Sequence, residues 1–259
     1  MGRKGMDRFD HGGATLLVDR RGVATGATFV LVHGIGVASR YYRRLAAVLS
    51  GSGRVHTVEL PGHGSAPEPS DAMTIGDFAE LIGAYLDAED IVDPVLIGHS
   101  MGAQIVTELA LQRPETVRRI VLVGAVVDPL EPGAATLGAR LLVDGLVESP
   151  GVDLLQFTDY LRCGPRWFAK TLPAMMSYSL AEALPRLRAD TLVIRGVRDV
   201  VSRHDWNLRM TSLAPGARLV ELAGGAHVVM YTAPDAVAAV ILEHADRDVR
   251  AWSDTEEAR

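Results

Sequence analysis

One serine, one histidine and one aspartate, each just past the end of an apolar run, are the residues of this chain best placed to do chemistry. Ser100 is central in Gly98-His99-Ser100-Met101-Gly102, after an apolar run at 94–98 and ahead of a helical pattern at 101–111. This reads as a strand turning sharply into a helix, with the serine at the apex in a strained conformation. The two glycines leave room for the helix to pack close to the strand. A serine hydroxyl is a weak nucleophile near neutral pH and needs a neighbouring base. His227, closing RLVELAGGAH, supplies one. Of the 8 histidines it alone combines a preceding strand, a glycine-rich loop and a following helix. His33, His63 and His99 sit in turns that suit backbone bonding. Asp199, closing TLVIRGVRD, is expected to orient the imidazole, fix its tautomer and stabilise the imidazolium that forms. Asp128, in VLVGAVVDP at the end of the preceding strand, is the competing acid.

These residues need a scaffold, and the apolar pattern predicts one. Short continuous runs at 14–19, 29–33, 55–60, 95–98, 119–124, 191–195 and 218–222 read as strands, most of them buried on both faces. Helical periodicity falls between them at 41–49, 75–88, 101–112, 203–213 and 235–244. Thr74 and Asp77 are spaced as a capping box for the second helix. The regular alternation predicts a single α/β domain over residues 1–259, a doubly wound, mostly parallel sheet with helices on both faces. The first dozen residues and the charged tail from Arg247 carry no such pattern and read as disordered.

One stretch, about 129–187, breaks the alternation. It has apolar residues at helical spacing (Leu137, Leu141, Leu142; Leu154, Phe157, Leu161; Leu172, Met175, Met176, Leu180, Leu184), punctuated by Pro150, Pro165, Pro173 and Pro185. It is expected to form a helical lid over the strand ends, where open α/β sheets bind ligands. Leucines, methionines and aromatics there, with Arg140, Arg162 and Arg166 among them, favour an apolar acyl or aryl substrate. Cys163 reads as a packing residue.

Composition narrows the field. A net charge of −6 with no basic stripe argues against a nucleic-acid partner. No run of about 18 apolar residues suggests a membrane span, and no apolar N-terminal stretch suggests a secretory signal. With one cysteine, these features make the cytoplasm the expected compartment. No H-E-x-x-H, C-x-x-C or carboxylate cluster points to a metal, so neither metal nor cofactor is expected. A rival fingerprint does exist. LVHGIGVAS follows a strand, opens a helix and precedes Glu59, close to a dinucleotide-binding motif. Its third glycine is replaced by Ser39.

Taken together, FVLVHGIG (29–36), VELPGHGSA (58–66), LIGHSMGA (96–103), LVIRGVRDVV (192–201) and GGAHVV (224–229) resemble the α/β-hydrolase family over most of the chain. Ser100, Asp199 and His227 also keep that family's chain order. Ala103 departs from many relatives, which carry a third glycine there. The resemblance implies a nucleophile at Ser100, a base at His227 and an acid at Asp199, with Asp128 at a position some relatives use instead. It also implies an oxyanion hole from the backbone N–H groups of Ile35 and Met101. The expected activity is serine hydrolysis of a carboxylic ester or related small to medium apolar acyl compound through an acyl-enzyme. Alternatives on the same triad are carbon–carbon bond hydrolysis, lactonase or thioesterase action, and a ligand receptor that has kept the scaffold. A small-molecule substrate is the expected partner.

Overall fold

The structure, a computed structural model, describes residues 5–130, 133–145, 148 and 150–247. Its strands are β1 (Asp7–His11), β2 (Ala14–Gly22), β3 (Ala27–Val32), β4 (Gly53–Glu59), β5 (Val95–His99), β6 (Arg119–Val123), β7 (Asp190–Gly196) and β8 (Arg218–Leu222). They form one sheet in the order β1-β2-β4-β3-β5-β6-β7-β8. β2 runs antiparallel to β1 and β4, and the pairings from β4 through β3 to β8 are parallel.

Alternate side chains of each strand face opposite sides of the sheet, so a central strand must be apolar on both. Val30, Val32, Leu96, Ile120 and Leu122 pack on one side with α2 (Ile75–Ala88) and α3 (Met101–Gln112). Phe29, Leu31, Ile97, Val121 and Ile194 pack on the other with α1 (Arg43–Leu49) and the C-terminal helix Pro234–Ala245. Full burial of one such side chain is worth about 1.5–3 kcal/mol, so these two layers hold the sheet. The capping box forms as expected: Thr74 Oγ1 accepts from Asp77 N–H at 3.1 Å, and Asp77 Oδ2 accepts from Thr74 N–H at 2.7 Å.

The N-terminus differs from expectation. Residues 7–11 pair with β2 across Gly12-Gly13, both at positive φ, as a two-residue hairpin turn favours. This edge strand escapes pattern reading because it is polar and mostly exposed. Only Phe9 packs inward, edge-on to Tyr85. Of the tail, residues 248–259 lie outside the described residues.

Between β6 and β7 the described residues hold α4 (Ala134–Asp144), α5 (Pro150–Ser177), α6 (Leu180–Ala183) and a 3-10 turn at Leu184–Arg186. α5 breaks at Gly164, whose φ of 72° and ψ of 152° are not helical, and Pro165 opens its second half. The inner face of this insertion packs on two loop glycines. A Cβ on Gly36 would come within 2.4 Å of the Tyr160 ring, and one on Gly62 within 2.2 Å of Trp167 Nε1. The stripe Leu154, Phe157, Leu161 faces outward, 60–66% exposed. The helix beyond β7, α7 (His204–Leu213), and the short α8 (Val229–Thr232) complete the set with Pro234–Ala245, which becomes α9.

Candidate active site

Ser100 sits between β5 and α3 with φ at +57°, a region a non-glycine residue adopts only under local constraint. Its N–H donates to Val123 O at the end of β6 (3.0 Å), which ties the turn to the neighbouring strand. The flanking glycines are required by contact. A Cβ on Gly98 would lie 2.2 Å from Gly102 O, and one on Gly102 would lie 2.2 Å from Val32 O. Side chains there would push α3 away from the sheet. The turn at 33–36 approaches from β3, where a Cβ on Gly34 would come within 3.0 Å of Ser100 Cβ.

His227, in the loop after β8, is buried, and its Nδ1 lies 3.0 Å from Asp199 Oδ2. The other oxygen, Oδ1, accepts from the N–H groups of Val201 and Ser202, both at 2.8 Å. Those two donors aim the carboxylate at the imidazole. Asp128 is engaged elsewhere: Oδ2 meets Arg209 at 3.1 Å and Oδ1 caps the N–H of Leu130 at 2.9 Å. Gly124, at φ +54°, leaves the space the pair needs, since a Cβ there would sit 3.1 Å from His227 Nδ1 and 3.4 Å from Asp199 Oδ2. Burial acts to lower the His227 pKa. The charge and hydrogen bond of Asp199, with Asp144 and Glu148 adding, carry it above the ordinary histidine value.

His99 links the three loops. Its Nε2 lies 3.0 Å from His227 O, so that nitrogen donates, and Nδ1 accepts from the Tyr41 hydroxyl at 2.9 Å. The Tyr41 oxygen in turn accepts the N–H of Gly34 at 3.1 Å. Burial, with charge from His227, holds the His99 pKa well below the ordinary value, so it stays neutral in this role. His33 bonds backbone too, to Gly34 O through Nδ1 and from Leu60 N–H through Nε2. Tyr41 had no signal in the sequence: it lies in a 3-10 turn 58 residues before His99.

Ser100, His227, Gly34 and Ile35 line a common cavity. Its remaining wall is mostly apolar, with Val37, Leu137, Leu141, Phe168, Leu172 and Met175. Among the described residues, Gln156 and Tyr160 are the polar side chains that the insertion adds. Met101, the first residue of α3, is buried beneath Ser100. Cys163 is buried in the insertion, and burial raises its thiol to about 11, which suits packing. Glu59 and Ser39, the residues of the dinucleotide fingerprint, bind each other: Ser39 Oγ donates to Glu59 Oε2 at 2.8 Å, and Glu59 Oε1 accepts the N–H of Ser65. That carboxylate is buried and serves its own loop. Among the described residues no three His, Cys, Asp or Glu side chains cluster as a metal site requires, and no helix is long and apolar enough to cross a membrane.

Comparison with known proteins agrees with this architecture. The polyketide synthase ThaQ of Burkholderia thailandensis is 28% identical over 265 residues, covering 93% of this chain and 13% of that protein. The chain spans 13–45% of the length of several curated relatives it matches. Among solved structures, a hydrolase from Pseudomonas aeruginosa superposes with a TM-score of 0.82 at 22% identity, covering 95% of this chain and 100% of that one. The enol-lactonase of Burkholderia xenovorans superposes with a TM-score of 0.81 at 20% identity, covering 93% and 100%. At such identities the superpositions carry the fold alone. The profile of the alpha/beta hydrolase family matches residues 29–240, and the chain belongs to that family.

Proposed function

We propose that this protein is a serine hydrolase acting on a carboxylic ester or related acyl compound with a small to medium apolar group. The observation that carries the reading is a constrained serine, Ser100 at φ +57°, lining one apolar cavity with a histidine whose far nitrogen is held by a buried aspartate. With Nδ1–H donating to Asp199, Nε2 of His227 is the basic nitrogen. In this mechanism it takes the Ser100 proton as Oγ attacks the acyl carbonyl, then returns that proton to the leaving alcohol. Water, deprotonated in the same way, attacks the acyl-enzyme and releases the acid. The N–H of Met101 is an oxyanion donor because the first turn of a helix leaves its N–H groups without intrahelical partners. The N–H of Ile35 is the second, from the turn that Gly34 brings against Ser100.

The cavity wall argues for the acyl preference. Each methylene moved from water onto Leu137, Leu141, Leu172 and Met175 is worth about 0.8 kcal/mol, or roughly fourfold in kcat/KM. A series of p-nitrophenyl esters from acetyl to octanoyl tests this. Turnover should rise by a few-fold per carbon over the first members and then level off once the acyl chain outgrows the apolar wall. A flat profile contradicts the apolar acyl site, and turnover preserved in Ser100→Ala contradicts the mechanism. Preference for a dienoate β-diketone over every ester moves the reading to carbon–carbon bond hydrolysis.

A further inference from the structure

Three buried carboxylates of the insertion point at the loops that carry the chemistry. Asp144, at the end of α4, accepts the N–H of His227 at 3.3 Å, and Glu148 accepts the N–H of Val228 at 2.8 Å. Asp159, on α5, accepts the N–H of Ala38 at 3.1 Å through one oxygen and meets Arg40 Nε at 2.6 Å through the other. Arg40 also donates to Leu155 O at 2.9 Å, fixing the 33–40 segment to α5 a second time. Burying a carboxylate costs several kcal/mol unless hydrogen bonds and charge answer it. An insertion that merely roofed an apolar cavity would have no use for three. Here each acidic group accepts a main-chain N–H from a loop 80 to 121 residues away, a charge-assisted bond stronger than a neutral one.

We propose that Asp144, Glu148 and Asp159 are positioning residues through which the insertion holds the His227 loop and the 33–38 turn. The base and one oxyanion donor are then in register only while the insertion is seated. The insertion is part of the catalytic geometry, not a detachable cover. The kinetic part of this proposal rests on the hydrolase reading above, whereas the structural part does not. Charge gives it a separate signature. His227 faces Asp199 from the β7 loop, the ring of neutral His99 from β5 at 4.6 Å between centroids, and, from the insertion, Asp144 and Glu148; Tyr160 lies beside Asp144. Burial pushes the Asp144 carboxyl up to about 6. Removing its negative charge lowers the pKa of His227, so the imidazole titrates at lower pH.

The test uses the full chain, with NMR titration of the His227 ring, amide hydrogen exchange over 34–38 and 226–229, and hydrolysis of a short p-nitrophenyl ester. Asp144→Ala and Asp159→Ala should each speed exchange in the loop they hold by about tenfold or more. Each should also lower kcat on the order of 10- to 100-fold with KM within about twofold. Asp144→Asn should regain most of kcat, because an amide oxygen accepts the same N–H, yet its His227 midpoint should fall. Leu161→Ser, on the exposed face of α5, is the control and should change none of these. Wild-type exchange and kcat in the folded alanine variants overturn the proposal. If those variants fail to fold, an unchanged His227 midpoint in Asp144→Asn overturns it instead. If the wild-type protein turns over no ester, the hydrolase reading fails, and exchange and titration still decide this one.

Discussion

The imidazole of His227 is held from its ring and from its backbone. Asp199 takes Nδ1, His99 donates to its carbonyl, and Asp144 accepts its N–H. Of these, only Asp199 sets the tautomer, and it can do so because two backbone N–H groups fix its other oxygen. Asp199→Asn should therefore leave the fold intact and cost roughly 10⁴ in kcat by presenting the wrong tautomer. Asp128→Asn should cost little, because Asp128 is bound to Arg209 and the N–H of Leu130, away from the ring. Steady-state kinetics on both variants check this, and the reverse ranking in folded proteins would make Asp128 the functional acid.

At the scale of elements, the approach of α3 to β3 and β5 places Ser100. It rests on two glycines that meet backbone rather than movable side chains. Gly102→Ala forces a Cβ onto Val32 O and should cost at least about 1–3 kcal/mol in urea unfolding, while slowing reaction at Ser100. Gly151→Ala is the contrast. Its Cβ meets nothing within 4 Å on an exposed turn of α5, so it should be neutral or gain up to about 1 kcal/mol. Equal losses in the two would detach the elbow from this packing. The same contacts explain which elements are legible in the sequence. β3, β5, β6 and β7 announce themselves because strands covered on both faces are continuously apolar, and G-x-S-x-G declares a close helix–strand contact. β1 did not, being polar with one packed phenylalanine, although Gly12-Gly13 was a hairpin signal. The direction of the Leu154, Phe157, Leu161 stripe was not legible, because periodicity reports that a helix has an apolar face, not which way it points. Asp144 and Asp159 were illegible, since nothing local distinguishes a buried acceptor from a solvated carboxylate.

For the whole molecule, the chemistry of the interior sets an acid limit. Burial lowers the pKa of His33 and His56 to about 4 and of His63 to about 3, and that of His99 well below the ordinary value. His244 also falls to about 4. The unfolded chain protonates each near 6.5, so between that value and the folded pKa it binds more protons than the native state. Stability then falls as pH falls, by about 1.4 kcal/mol per pH unit for each such group. Asp144, pushed up to about 6, opposes this below that pH because its folded form takes up a proton first. His227, raised, contributes stability that is lost only as pH increases through its folded value. Tm should therefore decline steadily from pH 6.5 to 4.5, and His33→Gln, which can keep both backbone bonds, should flatten the decline. A Tm independent of pH across that window would contradict the buried neutral histidines.

In the proposed mechanism Ser100 is a nucleophile activated by His227. Labelling the whole protein with a fluorophosphonate probe and mapping the adduct by mass spectrometry tests it most directly. One adduct is expected, on Ser100, absent from Ser100→Ala and formed far more slowly in His227→Ala, with turnover in Ser100→Ala reduced by about 10⁶-fold. An adduct on another residue, or labelling and turnover that persist at the wild-type rate in Ser100→Ala, would contradict it.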